Sequence, residues 1–152
     1  MIRVVLAAAL AVTLLAASLP AVDDARADRT GTALDATLSR VERAAVDLAT
    51  SEAPTPAGVA GARRVVDVRV RTSSWTSAPV AWVSLGGRPG GPPEDVLAYR
   101  VADRPPETVD VEGVDLVAAD GPVVLRGPGR HAVVLELVWR DGRGAVRVRR
   151  GG

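Results

Sequence analysis

The most restrictive feature of this chain is an uncharged apolar run near its N-terminus. The 19 residues at positions 4–22 contain no charged side chain, and Asp23 and Asp24 follow directly. At ~1.5 Å per residue, a helix of that length spans about 28 Å, which is close to the ~30 Å hydrocarbon thickness of a bilayer. The run therefore predicts a membrane-spanning helix within residues 1–22.

A cleaved secretory signal is the alternative interpretation of this run. The residues before Asp28 read Ala25-Arg26-Ala27, the small-x-small form that a signal peptidase requires. However, the apolar run exceeds the ~7–15 residues usual for a signal peptide, and the candidate site lies well beyond its end. We expect a retained single-pass anchor. Arg3 on one flank and Asp23 and Asp24 on the other favour a cytoplasmic N-terminus and an extracytoplasmic C-terminal domain.

Residues 23–50 are predicted to form an amphipathic stalk helix. Apolar side chains recur at alternating spacings of four and three residues, which places them on one helical stripe: Leu34, Leu38, Val41, Ala45 and Leu48. Two heptads are too few to establish a coiled coil, so we expect the stripe to pack against the protein's own β-sheet.

The start of this helix has two interpretations. Thr32 followed three residues later by Asp35 resembles a capping box, which predicts a new helix after Gly31. The alternative is one continuous helix from the membrane, bent at Pro20.

Residues 51–62 contain two prolines and two glycines, and this predicts a linker. The periodicity then changes to two, because Val66, Val68 and Val70 alternate with charged residues. Further strands are expected at 80–85, 96–102, 107–112, 114–118, 122–126, 132–140 and 145–149. Asp120-Gly121 and Asp141-Gly142 are expected at hairpin turns. The predicted fold class is α+β, with a small antiparallel β-domain at 63–150.

The sequence indicates no catalytic, metal or cofactor site. The chain has no cysteine, and His131 is its single histidine, so a zinc site would depend on carboxylates alone. The hydroxyls around Trp75 have no base at a recognisable spacing. Residues 86–93 are rich in glycine, but prolines remove the amide donors that a phosphate needs, so we expect a flexible surface loop. A non-enzymatic protein is therefore expected.

Charge is concentrated at the C-terminus, where residues 126–152 carry seven arginines against Glu136 and Asp141. We expect Arg147 and Arg149 to lie on the solvated outer face of an edge strand. Few aromatic residues are present, which argues against a nucleic-acid partner. The aromatic side chains are expected in the core or at a membrane interface: Trp75, Trp82, Tyr99 and Trp139.

The layout of an apolar helix, an amphipathic helix and a β-domain resembles that of type IV pilins and pseudopilins. It departs from them because no prepilin processing site precedes the run and no acidic residue lies within it. The chain is also similar to a family of small haloarchaeal membrane-anchored proteins, through these motifs: M-I-R-V-V-L-A, R-V-E-R-A-A-V-D-L, P-T-P-A-G, R-R-V-V-D-V and D-G-P-V-V-L.

This resemblance implies an accessory protein of a type IV pilus or secretion-like system, with protein partners in that system and no catalytic residues. The alternative is a secreted β-sandwich that binds a ligand or partner after cleavage at Ala27.

Overall fold

A computed structural model describes residues 2–56 and 59–152. It confirms the α+β class, with one long N-terminal helix followed by a β-domain. The elements are α1 (Ile2–Ser51), β1 (Arg63–Val70), β2 (Val80–Leu85), β3 (Val96–Val101), β4 (Glu107–Asp110), β5 (Asp115–Val117), β6 (Val123–Leu125), β7 (Gly129–Arg140) and β8 (Arg143–Arg150). Each predicted strand overlaps an observed one.

The strands form two four-stranded sheets. The first sheet has the order β1-β7-β8-β5, and the second has the order β4-β3-β2-β6. The pairs are antiparallel except for β5 and β8, which run parallel. Strand β8 is therefore an inner strand along residues 145–147, and the expectation of an edge strand was wrong for Arg147, whereas Arg149 lies beyond the pairing with β5. The short strand β5 returns beside β8 and covers its edge along residues 145–147.

The apolar stripe of α1 packs against the protein's own sheets, as predicted. Leu38 is fully buried, and Val41 and Ala45 are each 1% exposed. These side chains share one continuous core with valines and leucines from both sheets. The helix therefore completes the core of the β-domain.

The predicted helix start after Gly31 is wrong, because α1 continues through this residue without a break. The Thr32 hydroxyl donates to the Asp28 carbonyl one turn earlier and caps nothing. We call the two sheets together with the part of α1 packed on them the body. Ala27 and Leu34, on either side of Gly31, are buried in it. This packing outweighs the ~1 kcal/mol by which glycine disfavours a helix. A Cβ at Gly31 would lie 3.5 Å from the Tyr99 hydroxyl oxygen, an ordinary van der Waals contact, so the packing there leaves room for alanine.

The two Asp-Gly turns have different roles. Asp141 and Gly142 both have positive φ, 50° and 82°, and they join β7 to β8 as the predicted hairpin turn. Gly121 also has a positive φ, but its turn connects β5 in the first sheet to β6 in the second. The hairpin predicted at Asp120-Gly121 is therefore wrong, since the chain crosses between sheets there.

The glycine-rich segment 86–93 has a buried base at Gly86 and Gly87, whereas residues 88–93 form a surface loop, as predicted. Gly86 and Gly87 are buried, and both amides donate to the Val96 carbonyl, at 3.0 and 3.1 Å. The buried Ser84 hydroxyl donates to the Gly87 carbonyl at 2.7 Å. A Cβ at Gly87 would lie 2.6 Å from the Pro92 carbonyl oxygen, so the backbone approaches too closely for another residue.

Candidate functional site

The N-terminal part of α1 projects from the body. The helix is long and apolar enough to cross a membrane, and none of its most apolar 18-residue window is buried. Large apolar side chains there are more than half exposed, including Leu6, Leu10 and Leu14. The same helix becomes buried from Ala27 onward. This arrangement is consistent with a single-pass membrane anchor.

Two segments of the body hold α1 where it leaves the fold. The Arg26 guanidinium donates to the Ser74 carbonyl at 2.8 Å, which ties α1 to the β1–β2 loop. From the β3–β4 turn, Arg104 pairs with Asp24 at 2.9 Å and also with Asp28. Hydrogen bonds to Asp28 and Asp24 raise the pKa of Arg104 above its ordinary value. The body therefore begins within about one helical turn of the apolar run.

An exposed tryptophan lies beside the exit point, by which we mean the stretch of α1 at residues 23–28 where the helix leaves the body. Trp75 follows Ser74 directly and is 95% exposed. Its hydroxyl neighbours bond to one another, with Ser74 Oγ 2.7 Å from Ser77 Oγ, so the loop has its own internal order. Tyr99 is buried in the core and Trp82 is partly buried, whereas Trp139 is 50% exposed. Trp75 thus directly follows the residue whose carbonyl accepts from Arg26, just beyond the apolar run.

A buried tyrosine lies between two carboxylates. The Tyr99 hydroxyl on β3 is 2.7 Å from Asp35 Oδ1 on α1 and 2.9 Å from Glu107 Oε2 on β4. Burial, followed by the hydrogen bonds to these carboxylates, raises the pKa of Tyr99 well above its ordinary value. The hydroxyl therefore stays protonated at neutral pH and joins the helix to the second sheet.

The C-terminal arginines surround a buried carboxylate that the sequence did not connect to them. Glu136 is only 7% exposed, and its carboxylate lies 3.0 Å from the Arg63 guanidinium. Arg147 and Arg149 approach the same carboxylate at 4.0 Å. The register explains this cluster, because Glu136 is opposite Arg63 on β1 and Arg147 on β8. The cluster is a local ion network within the sheet.

The candidate functional site is a cationic groove between α1 and β1. We call it the arginine groove; it is lined by Arg40 and Arg43 of α1, Arg69 of β1, and Arg71 just after β1. Its volume is about 450 Å³. No acidic side chain lines it, and none of the ion pairs between described residues involves these four arginines. Arg40 donates to the Thr37 hydroxyl at 3.1 Å.

Sequence reasoning missed this groove because its walls come from separate elements. Arg40 and Arg43 are three residues apart, so they share a helical face. Arg69 and Arg71 are two apart, so they share a strand face. Each pair is visible in the sequence, but only the packing of α1 along β1 brings the pairs together.

The candidates for chemistry considered in the sequence do not form a reactive centre. Among residues 2–56 and 59–152, no three His, Asp or Glu side chains are placed to hold a metal ion. His131 lies within β7, and its Nε2 is 3.0 Å from the Gly127 carbonyl oxygen. Asp95 accepts the Leu116 amide at 2.8 Å and so links the second sheet to β5.

Comparison with known proteins gives one match. A family model described as "Domain of unknown function (DUF7311)" covers residues 1–151. No curated protein and no solved structure matches the chain.

Proposed function

The chain belongs to the DUF7311 family, and we propose that it is a non-enzymatic, single-pass membrane protein whose body lies outside the cytoplasm as an accessory of a surface or type IV pilus/secretion-like apparatus. The observation that carries this proposal is the division of α1. Its first part is apolar and exposed, and its second part forms one wall of the folded core. A membrane is the environment that covers such an apolar helix.

Contacts before Asp28 support retention of the anchor. Asp24 pairs with Arg104, Arg26 donates to the Ser74 carbonyl, and Ala27 is 5% exposed. All three residues precede the candidate cleavage site. Cleavage after Ala27 would remove these contacts from the mature protein, so the fold uses residues that a released form would lack.

The orientation follows from charge. Arg3 is the basic residue before the apolar run, and Asp23 and Asp24 follow the run. The positive-inside bias then favours a cytoplasmic N-terminus. The accessory role is supported by the helix that continues into the β-domain, as in the pilin layout, and by a groove suited to contact with a partner.

The proposal can be tested by fractionation and intact mass. We expect the full chain with a C-terminal tag to stay in membranes after high-salt washing and to have a mass that includes Met1. External protease should digest the body of intact spheroplasts. As a control, Leu10→Arg with Leu14→Arg should reduce membrane insertion, because each central arginine costs about 2.5–3.5 kcal/mol on insertion scales.

A second function would follow from the opposite result. Two facing sheets and the Ala25-Arg26-Ala27 sequence also suit a secreted β-sandwich binding module. A soluble product whose mass begins at Asp28 would reject the anchored form and establish a released protein, whose binding would then be tested directly.

A further inference from the structure

We propose that the arginine groove binds an acidic, extended peptide segment of a protein partner. This inference rests on the proposed function, since it names the kind of partner that an extracytoplasmic accessory would contact. It is carried by the charge, the shape and the position of the groove.

The groove concentrates charge that the protein leaves unneutralised. Between the residues that the structure describes, ten of the 19 arginines form ion pairs, and four of the other nine line this groove. The net charge of the whole chain is only +1, so the concentration is local. Guanidinium groups bind carboxylates through two parallel hydrogen bonds, and several carboxylates in a row would satisfy several arginines together.

The shape of the groove favours an extended ligand. Strand β1 runs alongside α1, with Arg64 paired to Asp47 at 3.4 Å at one end and Arg71 near Thr30 at the other. The helical wall from Thr30 to Arg43 is about 20 Å long at ~1.5 Å per residue. That length matches about six residues of extended peptide at ~3.3 Å each. A single phosphate would reach only part of it.

Peptide recognition is also favoured by the strand that forms the second wall. Strand β1 is at the edge of its sheet and pairs with β7 on one side. An extended segment in the groove would therefore lie beside an edge strand, an arrangement that recurs in peptide recognition.

The position of the groove argues against lipid headgroups as its ligand. Thr30 lies about 12 Å beyond Val22 along the helix, and Arg43 lies about 31 Å beyond it. The headgroup layer extends only ~5–8 Å beyond the hydrocarbon on each side. On a helix that leaves the bilayer upright, the groove therefore lies beyond the headgroup layer.

The test uses the full chain in nanodiscs of zwitterionic lipid and a fluorescent hexaglutamate peptide, with binding measured by anisotropy at low salt. We expect Arg43→Gln with Arg69→Gln to raise the Kd at least fivefold, because two charge-assisted contacts are lost. The matched control is Arg88→Gln with Arg126→Gln, which removes two other exposed arginines that form no ion pair with residues 2–56 or 59–152. We expect that control to change the Kd less than twofold.

Three outcomes would overturn the proposal. The first is equal weakening by both double variants, which would show nonspecific attraction. The second is tripolyphosphate competing as well as hexaglutamate at equal charge, which would indicate a compact anion. The third is loss of peptide binding when the same protein is placed in nanodiscs of anionic lipid, which would indicate a lipid headgroup as the ligand. Circular dichroism checks folding, and the single variants replace either double variant that does not fold. Membrane retention, measured on the same preparation, reports separately on the proposed function.

Discussion

The buried hydroxyl of Tyr99 shows how one residue joins three elements. It bonds to Asp35 of α1 and Glu107 of β4 from its own place on β3. The sequence predicted that Tyr99 lies in the core or at a membrane interface, and the structure places it in the core. Its two carboxylate partners are 64 and 8 residues away, so the contacts depend on tertiary packing and have no local sequence signal.

Tyr99 gives a clear pH prediction, because the chain has one tyrosine and neither lysine nor cysteine. Its pKa is raised in the folded state, so above the unfolded pKa of ~10 the unfolded chain loses a proton that the folded protein keeps. Stability from this group is therefore fully present below pH ~10 and falls as the pH rises further. From pH 9 to 10.5 the free energy of unfolding should decrease by about 0.8 kcal/mol.

Urea unfolding of the body at the two pH values measures this change. In Tyr99→Phe the decrease between pH 9 and pH 10.5 should vanish, whatever the overall stability of the variant. An equal decrease in both proteins would show that the raised pKa of Tyr99 does not control the alkaline limit.

The elements themselves were largely predictable, and their connections were not. Strand positions followed from the alternation of apolar and charged residues. In β1, for example, Val68 and Val70 are buried while Asp67 and Arg69 are exposed. The capping pattern at Thr32 wrongly predicted a helix start. The helix continues through Gly31 because the residues around it are buried, and this packing outweighs the local capping preference. The parallel pairing of β5 with β8 has no local signature, since it depends on how two sheets share one core.

The docked stripe of α1 gives a prediction for core energetics. Leu38→Ala should lower the free energy of unfolding of the body by about 3 kcal/mol, because Leu38 is fully buried and the surrounding core relaxes only partly. Leu10→Ala is the matched control, since Leu10 is 61% exposed on the same helix. Chemical denaturation in detergent compares the two variants. A loss below about 1 kcal/mol for Leu38→Ala would mean that the helix contributes little to the core.

The groove shows the limit of sequence reasoning for the site. The C-terminal arginines cluster along the chain and so suggested a cationic surface. In the structure, however, Arg147 and Arg149 lie near the carboxylate of Glu136. The more open cationic surface combines arginines about 30 residues apart in sequence, on α1 and β1. These arginines come together because α1 packs along β1, and a single sequence does not specify that packing.

At the scale of the whole molecule, the exit point predicts how the body faces the bilayer. Trp75 should lie in the headgroup region, where tryptophan is enriched, because its loop is hydrogen-bonded to Arg26 just beyond the apolar run. In nanodiscs of brominated lipid, we expect quenching of tryptophan fluorescence that is mostly lost in Trp75→Ser. Trp139→Ser is the control, since Trp139 bonds through its amide to Thr55, beyond the far end of α1. Quenching that persists in Trp75→Ser would place the loop away from the lipid.

The continuity of α1 has a mechanical consequence. A domain on a flexible tether moves freely and transmits little force, whereas here one hydrogen-bonded helix belongs to both the apolar run and the core. Pro20 is the proline inside α1 and lies within the apolar run, so bending there would tilt the body as a unit. In the anchored form proposed above, a load applied to the body would pass along this helix to the bilayer. In that anchored form, the continuous helix would therefore set the distance between the body and the membrane surface.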